Sequence, residues 1–310
     1  MVGRVNSTMI AMNSIRHLRD QLSGLSQSQE QLSTNKKVNR PSDDPVGMTR
    51  VGDLTNTLRF DERFLANVQQ GQSELKSVDE LMNNLQDVAQ RALELATQGS
   101  NLTLNATNRL TMSQEIDQLI NQAIQVGNTN LAGKHLMSGF RTDTVPFTRA
   151  GDAVAFAGSV PGSSARMISV SENTTVQVNI NGQDVLGFVT VDGSGVVNGG
   201  SGLLRTLMSL KQDLANNNVT GVQTRLDQLH TDINTLNLQQ GQAAGNLARL
   251  NQIQERIESR KDSLTEEYAA IVNIDVAEVM SRMRQQEATY QASLTAVSRL
   301  NSMSLFDYIR

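Results

Sequence analysis

"VQTRLDQLHTDINTLNLQQGQAAGNLARLNQIQERIESRKDSLTEEYAAI" (residues 222–271) carries a sustained heptad. Stepping four then three from Val222, one meets Leu226, Leu229, Ile233, Leu236, Gln240, Ala243, Leu247, Leu250, Gln254, Ile257, Lys261, Leu264, Tyr268 and Ile271. Twelve of these fifteen positions are apolar. A stripe of this period predicts a long helix that lies against a coiled-coil partner.

The partner lies upstream, over about 45–98. Val68, Leu75, Met82, Ala89 and Ala96 fall seven apart, as do Phe64, Gly71, Val78, Leu85 and Ala92, and also Leu81, Val88 and Leu95. Three adjacent columns make a face wide enough to touch more than one neighbour. A helix of about 50 residues is about 75 Å long. A globule of this chain's length has a radius of gyration of only about 20 Å. The expected architecture is therefore mainly α, an elongated antiparallel helical rod or coiled coil built from both chain ends. Helices 45–98 and 219–271 lie side by side, and the two termini meet at one end.

Upstream of the first rod helix stands "NRPSDDPVGM" (39–48), which holds two of the four prolines in the chain. Pro41 cannot continue a helix and pushes Arg40 toward extended geometry. Asp44 and Pro45 read as N-cap and first helical position. The acidic pair Asp43-Asp44 has no further ligand nearby, so it reads as punctuation and not as a metal or acid–base site. Before this stop, Ile15, Leu18, Leu22, Leu25 and Leu32 follow one stripe of a helix of about 30 residues. At the other end the heptad slips by one residue at Asn273-Ile274-Asp275, which marks a hinge or boundary. It resumes through Val276, Met280, Met283, Glu287, Tyr290, Leu294 and Val297.

A third helix is expected over 107–130, with Leu110, Ile116, Leu119, Ile120 and Ile124 inward. Between about 136 and 200 the pattern changes. Val176, Val178 and Ile180 alternate with polar residues, and Asn181-Gly182 follows as a hairpin signal. "GSGVVNGGSG" (193–202) reads as a flexible exit without phosphate-loop spacing. The expected organisation is terminal helices at 1–40 and 273–310, a helical rod at 41–135 and 201–272, and a small inserted antiparallel β domain at 136–200, at the far end.

Composition narrows the function. The chain is 38% hydrophobic but 3% aromatic, without Trp or Cys, which suits long seams better than a compact enzyme core. A net charge of −4 argues against nucleic-acid binding. The N-terminus has no apolar core of signal-peptide length, and no stretch is long and apolar enough to span a bilayer. The chain is expected in the cytosol or exported by a route that reads no cleaved signal. His17, His135 and His230 lack ligand spacing, no serine sits in a nucleophile elbow, and no cofactor or metal is expected. Burying about 12 aliphatic side chains, at roughly 1.5–3 kcal/mol each, does not offset ordering about 65 terminal residues at about 1–2 kcal/mol each. The terminal helices are therefore expected to order only when neighbouring chains cover them.

Three blocks also carry a resemblance. "QLSTNKKVNRPSDDPVGM" (31–48) resembles the signature of the bacterial flagellar rod–hook–filament axial family, particularly its hook-associated protein 3 branch. "LAGKHLMSGFRTDTVPF" (131–147) looks like that family's exit from the helical core, and "IDVAEVMSRMRQQEATYQASLTAVSRLNSMSLFDYIR" (274–310) is similar to its C-terminal helix. The resemblance implies an exported, extracellular assembly protein at the hook–filament junction. Its partners would be hook-associated protein 1, flagellin, its own copies in a ring, and an export chaperone. Axial packing would fall to Ile15, Leu18, Leu22, Leu25, Leu32, Val276, Met280, Met283, Tyr290, Leu294 and Val297. The chaperone would take the segment 276–300, through Val276, Met280, Met283, Leu294 and Val297. A flagellin subunit, which shares the architecture and part of the first block, is the alternative within the same class, and the ending "SLFDYIR", which departs from the usual flagellin close, favours the junction branch. An enzyme carried on a helical rod and a secreted coiled-coil effector are the rival classes.

Overall fold

A computed structural model describes the backbone of residues 2–159 and 165–308, and side chains for 9, 12–159 and 165–299. The chain divides into two compact units, Asp61–Glu258 and Met1–Phe60 with Ser259–Arg310. In chain order the helices are α1 (Val2–Thr34), α2 (Pro45–Gly99), α3 (Ala106–Gly127), α4 (Gly182–Val185), α5 (Gly202–Ala215), α6 (Val219–Val272) and α7 (Val276–Tyr308). The strands are β1 (Asn130–Leu131), β2 (Lys134–His135), β3 (Phe147–Ala150), β4 (Ala153–Phe156), β5 (Met167–Ser171), β6 (Thr174–Gln177), β7 (Phe188–Val191) and β8 (Val197–Ser201).

The unit Asp61–Glu258 holds one continuous apolar core. All three columns of α2 are buried, from Phe64 to Ala96. So are Val222, Leu229, Leu236, Ala243, Leu250 and Ile257 of α6, which fall seven apart. At Gly71 the neighbours pack against the bare backbone. A Cβ there would meet Ile168, Val178 and Leu250. Helix α3 begins at the cap Asn105, whose side chain accepts from the Asn108 amide, and it ends three residues before the expected Asn130. Ile116, Leu119, Ile120 and Ile124 face inward as expected, but Leu110 points out and is 48% exposed.

Arg109, only 3% exposed, closes the α2–α3 connection. It donates to the carbonyls of Gly99, Asn101 and Leu104 and to the side chain of Asn217. The orphan carbonyls that follow the end of α2 are met by this one guanidinium.

The middle of the chain forms a four-stranded antiparallel sheet in the order β3-β4-β7-β8, a β5–β6 hairpin and a two-residue β1–β2 ladder. Three local expectations are corrected here. Asn181-Gly182 does not turn a hairpin. Asn181 has φ −83° and ψ 124° and caps α4 by accepting from the Gln183 amide. A tight hairpin would need positive φ there, and an asparagine with negative φ is free to cap instead. The hairpin turn falls at Glu172-Asn173, between β5 and β6. "GSGVVNGGSG" is not a flexible exit, because its second half is β8, paired along β7. Helix α5, for which the sequence reading named no separate element, buries Leu203, Leu204, Leu207, Met208, Leu210 and Leu214 against α3 and the sheet. The sheet's inner side chains Phe147, Val154 and Val189 belong to the same core as the helices.

A cluster of charges joins α3, the β3–β4 turn and α5. Lys211 lies 2.9 Å from Asp117 and 2.7 Å from Asp152, and Arg149 pairs with Asp117. Burial pushes both carboxyls up, but the hydrogen bonds from Arg149 and Lys211 to Asp117, and from Lys211 and Gln212 to Asp152, outweigh it. Both end below their ordinary values. Burial pulls Lys211 down, and its two carboxylate partners more than reverse that. A lowered carboxyl adds stability above the unfolded carboxylate range of about 4, which is lost as pH falls through the folded value. The raised lysine adds stability that is lost only above its ordinary range near 10.4. Burial raises Asp184 and Asp232, so these groups work in the opposite direction on acidification. The clean test is a difference. Between about pH 5 and about pH 3 the parent should lose more melting temperature than the Asp152→Asn variant does, and parallel curves would remove the cluster from the acid response.

Candidate assembly interface at the chain ends

The unit Met1–Phe60 with Ser259–Arg310 is built on different lines. Its described buried apolar side chains are Val38, Leu54, Val272 and Val279, and none of these belongs to the core cluster of the other unit. Helices α1 and α7 pack together, antiparallel, as the link between Lys36 and Asn273 and the bond between Ser28 and Gln286 show.

Their seam is half polar. Ser28 and Gln31 are buried at 3% and 8% exposure, and Ser28 Oγ donates to Gln286 Oε1 at 2.9 Å. Gly24 lets the two helices approach, because a Cβ there would lie 3.1 Å from Gln286 Nε2. Along α1 the regular run of covered positions is Ser14, Leu18, Gln21, Leu25, Ser28 and Leu32, with Gly24, Glu30 and Gln31 covered beside it. Along α7 the run is Val279, Met283, Gln286, Tyr290, Ser293 and Val297, with Glu287 covered beside it. Every second position thus lies one residue before the apolar stripe. Leu18, Leu25, Leu32, Met283, Tyr290 and Val297 are half-buried in the seam. Ile15, Leu22, Val276, Met280 and Leu294 are 43–51% exposed. The intrachain pairing takes half of the predicted stripe and leaves the other half outside. Met9 and Met12 are also exposed, at 63% and 64%. The signal for the seam was present in the spacing of Ser14, Gln21 and Ser28, but apolar periodicity is blind to serine and glutamine.

The break between α1 and α2 is held by hydrogen bonds on both sides. Asn35 ends α1 in the left-handed region at φ 55°, which asparagine tolerates. Lys37 N donates to Val272 O at 2.6 Å, so the strand-like link at 36–37 pairs with the chain just before α7. Pro41 sits exposed in the turn that follows. The Asp43 carboxylate accepts from the amides of Asn39 and Arg40, at 3.2 and 2.9 Å. Asp44 Oδ1 accepts from Gly47 N at 2.9 Å, with Pro45 as the first residue of α2. On the α7 side Asp275 repeats the device and accepts from Ala277 N and Glu278 N. Arg50 pairs with Glu267, and Arg40 with Glu30.

His17 and His230 are exposed, while His135 Nδ1 lies 2.9 Å from the Asn128 carbonyl. Among the described residues no group of three His, Asp or Glu could hold a metal ion, and no helix is long and apolar enough to cross a membrane.

Comparison with known proteins gives this geometry its context. The bacterial flagellin N-terminal helical region matches residues 5–142, and the bacterial flagellin C-terminal helical region matches residues 226–309. The chain belongs to the flagellin family. It is a structural protein of that family and not an enzyme. Flagellin from Bacillus subtilis is 23% identical over 96% of this chain and 96% of its own length. Flagellar hook-associated protein 3 from Salmonella typhimurium is 22% identical over 93% of this chain and 96% of its own. The flagellar junction protein FlgL from Legionella pneumophila shares the fold, with a TM-score of 0.52 at 16% identity over 74% of this chain and all of that structure. For this flagellin-family chain, Asp44→Ala should cost about 1 kcal/mol of local stability by removing the helix cap. Faster hydrogen exchange at the first amides of α2, with the core of Asp61–Glu258 unchanged, is the expected result.

Proposed function

We propose that this chain is the adaptor at the flagellar hook–filament junction. The observation that carries the reading is the apolar half-stripe left uncovered on α1 and α7, in a chain aligned end to end with hook-associated protein 3. Side chains such as Leu22 and Leu294 stay wet in the isolated chain, and assembly supplies the apolar cover. In this reading residues 1–40 and 273–310 are the axial-packing helices, disordered in the free monomer and ordered in a ring of copies. The ring joins hook-associated protein 1 on one side to flagellin on the other. The chain leaves the cytoplasm unfolded through the flagellar type III channel and acts outside the cell. An export chaperone holds segment 276–300 beforehand, using Val276, Met280, Met283, Leu294 and Val297 as apolar anchors. Pro41, Asp44 and Pro45 separate the axial helix from the 41–135 and 201–272 rod, whose 136–200 insertion faces outward.

A second reading, a filament subunit, is favoured by the equally long match to flagellin. Complementation separates the two. Expressed in a strain that lacks its junction protein, an adaptor restores filament attachment, whereas a filament subunit does not. Leu294→Asp places a carboxylate in the packing surface, where an unpaired buried charge is strongly unfavourable. That variant should lose incorporation and motility while Asp61–Glu258 melts as in the parent. Retained motility would remove Leu294 from the packing surface. Limited proteolysis of the free monomer should clip both ends first.

A further inference from the structure

The heptad of α6 has polar interruptions that the assembly reading leaves unused. Gln240 and Gln254 stand at stripe positions fourteen residues apart, where Leu226, Ile233 and Leu247 hold the equivalent places. Across the seam stand Gln72 and Gln86, also fourteen apart. Gln72 Nε2 donates to Asn251 Oδ1 at 2.9 Å and Gln254 Oε1 at 2.8 Å. Gln86 Nε2 donates to Asn237 Oδ1 at 2.9 Å and Gln240 Oε1 at 2.6 Å. One amide clasp is therefore built twice, two heptads apart, with the numbering rising on α2 and falling on α6. The second clasp is completed by Gln240 Nε2, which donates to Asp79 and Asn83.

The seven-residue period of the apolar columns does not by itself set this stagger, although the close fit of Gly71 to Leu250 marks it by size. Val68, Leu75, Met82, Ala89 and Ala96 repeat every seven residues, as do Leu229, Leu236, Ala243, Leu250 and Ile257. A slide of one heptad, about 10 Å, lays each column back on itself. The clasps do not survive that slide. In one direction Gln72 would face Ala244 and Leu247, and Gln86 would face His230 and Ile233. In the other, Gln86 would face Ala244 and Leu247, and Gln72 would face Glu258 and Lys261, so neither amide clasp is reproduced. A two-heptad slide restores one clasp at most. Arg109 ties the Gly99 end of the seam, but the clasps lie about 20 and 40 Å along α2 from that tie. A single polar position in an apolar seam is known to specify register at a cost in stability.

We propose that the paired clasps Gln72–Asn251/Gln254 and Gln86–Asn237/Gln240 are a register lock, selecting one stagger of α2 against α6 from those the heptad permits. The lock works when the chain folds, and the second clasp doubles what a one-heptad slide forfeits.

The chain has no cysteine, so Asn84→Cys and Ala248→Cys, both at exposed positions, give a unique spin-label pair on the full-length protein. After refolding from denaturant, the parent should show one narrow interlabel distance by pulsed electron paramagnetic resonance. Q72L/Q86L and Q240L/Q254L should each show an added population displaced by up to about 10 Å. Q240L/Q254L completes the apolar stripe and should melt no lower than the parent. This separates register selection from simple support, which predicts a lower melting temperature and one distance. An unchanged single distance in Q240L/Q254L overturns the proposal, as does loss of its cooperative unfolding. If Q72L/Q86L does not refold, Q240L/Q254L alone decides.

Discussion

Side chains seven residues apart on α2 and α6 meet in one dry antiparallel seam, and the rest of the Asp61–Glu258 unit is arranged to cover what that seam leaves open. The wide face of α2, three columns across, cannot be hidden by α6 alone. Helices α3 and α5, with the inner face of the β3-β4-β7-β8 sheet, complete it, so that Phe147, Val154 and Val189 share a core with Leu85 and Leu207. The polar elements sit at the margins of this core. Arg109 seals the turn after α2, and the Asp117–Arg149–Lys211–Asp152 cluster fastens the sheet to two helices.

The other unit inverts this economy. Serine, glutamine and glycine share the α1–α7 contact with half-buried Leu18, Leu25, Leu32 and Met283, while Ile15, Leu22, Met280 and Leu294 face water. Hydrogen bonds such as that between Ser28 and Gln286 contribute only about 1 kcal/mol net each, because water offers the same bonds to the separated helices. A pairing built in this way is specific without being strong.

The sequence made the strongest periodic features legible and the weaker ones less so. The heptads of α2 and α6 were readable because burial there is almost wholly apolar, and the cap at Asp44-Pro45 because an acid before proline has one favourable reading at a helix start. The α1–α7 seam was half legible. Leu18, Leu25 and Leu32 marked it, while Ser14, Gln21 and Ser28 carry no hydrophobic signal and turned the face by one residue. Asn181-Gly182 misled because the same dipeptide serves a hairpin turn or a helix cap, and only the backbone angle at Asn181 decides between them. Helix α5 went unread because glycines run directly into it at Gly199, Gly200 and Gly202, and because Leu203, Leu204, Leu207, Met208 and Leu210 surround its axis where a single stripe would have announced a surface helix.

The interruptions after Thr34 and after Val272 stand level with one another, joined by the Lys37–Val272 bond and the Lys36–Asn273 bridge. Where two neighbouring helices both stop at the same height, flexing stretches no i→i−4 bond in either ladder. Asp44 and Asp275 keep the restarting ends closed through such a movement. A polymer built from subunits jointed in this way could take up curvature at one defined level and spare its long helices the strain.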